Sequence, residues 1–102
     1  MKFKFPKKNL HPKDVIRKCG YGELHDKKYN TISYTRKLGG GHYPRFHIYY
    51  EEFPTYFEVA LHLDQKQPSY GKETAHSGDY DGPAVENEAR RMTEIVSEIY
   101  GL

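Results

Sequence analysis

Six histidines stand among the 102 residues, and two of them sit where strands are expected. His62 is followed two residues later by Asp64. In an extended strand a two-residue step returns to the same face, so this imidazole and this carboxylate project together. His47 falls on the same face of the preceding strand. Imidazoles and a carboxylate suit zinc or manganese, which need three or four such ligands and an open position for catalysis. His76, in the polar stretch from Glu73 to Asp81, is the natural fourth ligand if that stretch folds back over the strand end. The expected metal set is therefore His47, His62, Asp64 and His76.

The same residues support chemistry without a metal. His47 or His62 then serves as acid–base group, and Arg45 clamps a phosphate. A broader set on one polar face, Lys37, Arg45, His47, Tyr49 and His62, is suited to contact a nucleic-acid backbone or to stack on bases. Strand histidines on an open face also occur as ordinary solvated residues. The run Gly39-Gly40-Gly41 before His42 offers backbone amides for an anion, although a flexible hairpin connection explains it with less. Walker, dinucleotide, His-Glu-x-x-His and Gly-x-Ser-x-Gly signatures are absent.

The elements that must position these groups follow from local pattern. Pro12 at a first-turn position, Asp14 after it, Arg17 and Lys18 near the end and Gly20 beyond predict a short helix over residues 12–19. Thr31 to Leu38, Arg45 to Glu51 and Tyr56 to Asp64 read as strands by β-branched and aromatic content with alternation. A turn centred between Phe53 and Pro54 pairs Phe46 with Leu61, Ile48 with Val59 and Tyr50 with Phe57. It also sets Arg45 across from His62, leaving His47 and His62 as diagonal neighbours about 7–8 Å apart. In-phase pairing of the first hairpin sets Tyr34 against Ile48 and Ile32 against Tyr50. From Pro83 onward Val85, Ala89, Met92, Ile95, Val96 and Ile99 form a helical apolar stripe. The expected fold class is α+β: a short N-terminal helix, a three-stranded antiparallel meander, and a C-terminal amphipathic helix packed on the face bearing Phe46, Ile48, Val59 and Leu61.

Composition sets the outer limits. The length fits a single domain over residues 1–102. Ten Tyr and five Phe must supply much of the core, because Leu, Ile, Val and Phe together make only 20 residues. No stretch approaches the roughly 18 apolar residues of a membrane span, and the first residues lack a signal-peptide run, so a cytoplasmic protein without membrane contact is expected. The single Cys19 excludes an internal disulfide and multi-Cys zinc patterns, and reads as a small apolar residue on the first helix. Residues 1–45 carry twelve Lys and Arg against three acids, a balance of +9, while residues 46–102 carry four against eleven, a balance of −7. This asymmetry implies either a basic face for nucleic acid or another polyanion, or two halves that neutralise each other locally.

His42-Tyr43-Pro44-Arg45-Phe46-His47, Lys66-Gln67-Pro68-Ser69, and His76 with Tyr80 and Gly82 resemble, in order, shortened motifs of the manganese-dependent phosphoesterase domain of bacterial multifunctional DNA ligases. That family places two histidines and an aspartate on strands and a histidine later. Here the histidine spacing is one residue short, and Tyr49 stands where the resemblance wants the aspartate. Three readings share the polar face: a module binding nucleic acid or another phosphate-bearing ligand, a metal-dependent phosphoesterase, and a structural contact in a homodimer.

Overall fold

The computed structural model describes residues 1–65 and 78–101. The chain runs β1 (Lys2–Pro6), α1 (Pro12–Lys18), β2 (Gly22–Asp26), β3 (Thr31–Lys37), β4 (Arg45–Glu52), β5 (Tyr56–Asp64), β6 (Gly78–Asp79) and α2 (Pro83–Tyr100). The architecture is α+β as expected, but a three-stranded meander understates it. The strands lie in the order β1-β5-β4-β3-β2, all antiparallel, and β6 adds to β5 beside β1. Strands β1 and β2 escape a pattern-based reading because Lys-Phe-Lys-Phe-Pro and Gly-Glu-Leu-His-Asp are only five residues each. No helix among the described residues is long and apolar enough to cross a membrane.

The proline turn decides the register between β4 and β5. Phe53 N–H donates to Tyr56 O at 2.8 Å, so the turn is Phe53-Pro54-Thr55-Tyr56, with the proline at its second position. That position suits proline, whose φ is fixed near −65° and which is disfavoured one place later. The turn centre therefore lies one residue beyond the expected one, and the register shifts by two. Phe46 pairs with Leu63, Ile48 with Leu61, Tyr50 with Val59 and Glu52 with Phe57. A slip by an even number leaves every side chain on its own face. Phe46, Ile48, Val59 and Leu61 are accordingly all buried, with Phe5, Phe57 and Leu63 beside them.

Both helices sit on this face. Helix α1 starts at Pro12, His11 caps it by accepting from Lys13 N–H at 3.2 Å, and Val15, Ile16 and Cys19 are buried. Burial pushes the Cys19 thiol up to about 11, which suits an inert core residue. Helix α2 starts at Pro83 and stops at Gly101, which takes the left-handed conformation at φ 75°. Its Val85, Met92 and Val96 enter the core.

Glu88 enters with them, which the sequence reading does not anticipate. It is 3% exposed and receives Arg36 Nη2 at 2.8 Å, Arg91 Nε at 2.8 Å and the Tyr21 hydroxyl. Arg91 also donates to Cys19 O at 2.6 Å. One carboxylate thus ties α2 to β3 and to Tyr21 beyond α1, and Arg91, held by the same carboxylate, reaches Cys19 at the end of α1. Burial by itself would raise its pKa, but the hydrogen bonds from Arg91, Arg36 and Tyr21 outweigh that and lower it to about 2.

One core expectation fails. Ile32 is 52% exposed rather than packed on Tyr50, because β3 pairs with β4 only from Tyr34 to Lys37. On its other edge β3 pairs with β2 from Thr31 to Thr35, and Ile32 stands opposite His25 there.

Candidate functional site

The shifted register has its main consequence on the outer face of the sheet. His47 and His62 stand directly opposite each other, and Arg45 stands opposite Asp64. Expected as diagonal neighbours, the two imidazoles are instead 4.9 Å apart between ring centres. Non-local pairing between β4 and β5, fixed by the proline turn, brings these groups together.

Asp64 is the hub. Its Oδ2 lies 3.0 Å from His47 Nδ1 and 3.3 Å from Arg45 Nε, and its Oδ1 lies 2.9 Å from His62 Nε2. One donor atom from each of His47, His62 and Asp64 falls within a group no wider than 4.8 Å. Burial alone would raise the Asp64 carboxyl, but hydrogen bonds from His47 and His62 and their charge outweigh this and hold it well below the usual carboxylate range. The carboxylate is therefore ionised across the physiological range.

The trio fits a divalent ion by its donor chemistry. Metal bonds of about 2.1 Å at tetrahedral or octahedral angles place neighbouring donors about 3.0–3.4 Å apart. The two contacts to Asp64, at 3.0 and 2.9 Å, are close to that spacing but reach different oxygens of the carboxylate, so a shared ion requires the three donors, which lie within 4.8 Å of one another, to draw together. His47 is also oriented from behind. Its Nε2 lies 2.8 Å from Ser33 Oγ, and both residues are buried. With an ion on Nδ1, the remaining proton sits on Nε2 and Ser33 Oγ accepts it, an outer partner of the kind that fixes ligating histidines.

The other anticipated residues divide. Arg45 joins the cluster, with its guanidinium 4.5 Å from the centre of the Tyr43 ring. Tyr49 lies beside it, 5.0 Å from the His47 ring and 45% exposed. Lys37 stands opposite Arg45 on β3, exposed at the margin. His42 is exposed in the glycine hairpin. His76 lies outside the described residues. Neither Ser33 nor Tyr80 belongs to the expected metal or binding sets; the ring of Tyr80 stands 5.1 Å from His62. A signal for Ser33 existed, since the pairing of Tyr34 with Ile48 already puts it diagonal to His47.

The charge asymmetry is met in part by neutralisation between the halves. Lys7 and His11 pair with Glu52, Arg36 with Glu88 and Arg45 with Asp64, each joining the first half to the second. Compared with family models, curated proteins and solved structures, the chain matches none. Its site is therefore read from its own geometry.

Proposed function

We propose that the protein holds a divalent cation, zinc or manganese, between His47, His62 and Asp64, and that this ion together with Arg45 binds a phosphate-bearing ligand. The observation that carries the reading is the convergence of three donor atoms, one from each residue, within 4.8 Å on two adjacent strands. Three protein ligands leave positions open for a phosphate oxygen and for water, the arrangement of catalytic rather than closed structural sites. Phosphoester hydrolysis is the reaction class such a set serves, with the ion polarising the phosphoryl group. Arg45 adds a fixed positive charge and forked donors beside Asp64. A purely electrostatic nucleic-acid surface is less favoured, because Arg45, one of the two basic residues it would need on this face, is already paired with Asp64.

The test is a thermal melt with and without zinc or manganese. An ion that binds only the folded chain, at 100 times its dissociation constant, stabilises it by about 2.7 kcal/mol. For a domain of this size that moves the midpoint by about 10–20 °C. His62→Ala should abolish the shift, and acidification from about pH 8 to 5.5 should weaken it as protons compete for imidazole nitrogens. A wild-type midpoint that neither ion moves refutes the proposal, as does a His62→Ala protein that shifts as much as the wild type.

A further inference from the structure

Beside the trio the outer face of the sheet has a hollow. Along β5 the outward side chains are Tyr56, Glu58, Ala60, His62 and Asp64, and Ala60 is the one small residue in the row. A cavity of about 330 Å³ opens there, lined by Lys2, Tyr49, Tyr50, Glu51, Glu58 and Ala60. Ala60 pairs with Tyr49 on one side and with Lys2 on the other, so these two form facing walls over an alanine floor. The next outward residue along β5 is His62. The hollow therefore lies about 7 Å from the proposed ion, one two-residue step along the strand.

Aromatic rings flank this step. The Tyr49 ring lies 6.4 Å from the His62 ring at an interplanar angle of 22°. Tyr80 lies 5.1 Å from His62 and is 60% exposed. Strands β4 and β6 pair with opposite edges of β5, so the two tyrosines approach His62 from its two sides. At the rim, Glu51 pairs directly with Glu58. Like charges opposed across strands cost stability, and N–H donors of a ligand placed between them offset that cost.

We propose that the hollow between Tyr49 and Lys2 is a subsite for a planar heteroaromatic ring of the nucleobase type, carried by the phosphate-bearing ligand of the neighbouring trio. The inference rests on the metal reading above and names the ligand class. Ring stacking on Tyr49 supplies attraction that depends little on base identity. Glu51 and Glu58 accept from the ring edge, and the sugar spans the step to the trio.

The experiment is calorimetric titration of the zinc-loaded protein with inorganic phosphate, ribose 5-phosphate and adenosine 5′-monophosphate. Adenosine monophosphate should bind about tenfold more tightly than either of the others, the increment of one stacked base. Ala60→Leu should erase that margin without changing the phosphate affinity, Tyr49→Ala should leave adenosine monophosphate no tighter than ribose 5-phosphate in the same variant, and Tyr49→Phe should keep the margin. Both altered positions face solvent or the hollow, and far-ultraviolet dichroism checks that the variants fold. Ribose 5-phosphate matching adenosine monophosphate overturns the inference, as does a margin that survives Tyr49→Ala. Failure of the wild type to bind zinc or phosphate at all refutes the metal reading itself, whereas binding of both without the nucleotide margin refutes only the ring subsite.

Discussion

Replacing Glu88 by Gln keeps the shape of the side chain and removes its charge, leaving Arg36 and Arg91 without a counter-ion. Removing one partner of a fully buried pair costs about 3–5 kcal/mol. Here the carboxylate side chain is 2% exposed, but Arg36 and Arg91 retain 28% and 35% exposure and rehydrate in part, so the lower end applies. The depressed pKa of Glu88 points to a similar magnitude. A carboxyl held at about 2 in the folded chain, against about 4.3 unfolded, contributes about 3 kcal/mol at neutral pH. The folded pKa is depressed, so the contribution is complete above the unfolded value and disappears as pH falls through the folded one. At pH 3 about half of it remains. Asp64 is depressed in the same direction but is common to both proteins, so it cancels in the difference. Urea unfolding followed by circular dichroism should show the variant about 3 kcal/mol less stable at pH 7 and about half that at pH 3. A cost below about 1 kcal/mol at pH 7, or one that does not change between the two pH values, would refute a buried, ionised Glu88 as the tie between α2, β3 and the end of α1.

Leu61→Ala removes a side chain that is 1% exposed in the centre of β5, and should cost about 2–5 kcal/mol in the same urea assay. Ser33→Ala leaves the proton of His47 Nε2 without its acceptor and should weaken zinc binding by about tenfold or more in calorimetry, while moving the metal-free midpoint little by comparison. Cys19 should react with iodoacetamide at pH 8 only after unfolding, since its thiol is buried and pushed up to about 11; rapid labelling of the native chain would contradict its placement under α2.

Periodicity and punctuation alone located α1, the three central strands and α2. The reason is that each of those segments carries its own signal: Pro12 and Gly20 around α1, alternation of Phe46, Ile48 and Tyr50 on β4 and of Phe57, Val59 and Leu61 on β5, and the apolar stripe of α2. The same alternation assigned His47, His62 and Asp64 to one face, because a strand has only two. Which residues on that face touch was settled by pairing. The position of Pro54 within its turn moved the register by two residues, turned His47 and His62 from diagonal into direct partners, and put Arg45 on Asp64. Ile32 left the core for a similar reason, since the pairing of its strand with β4 begins only at Tyr34. Glu88 shows the limit from the other side. At i+3 from Val85 and i−4 from Met92 it occupies an inward position of α2, and only the arrival of Arg36 from β3 and Tyr21 from beyond α1 makes a charge there tolerable. Local sequence thus set which face each group is on, and contacts between distant segments set its neighbours, because a hydrogen bond or an ion pair depends on separations that no single element contains.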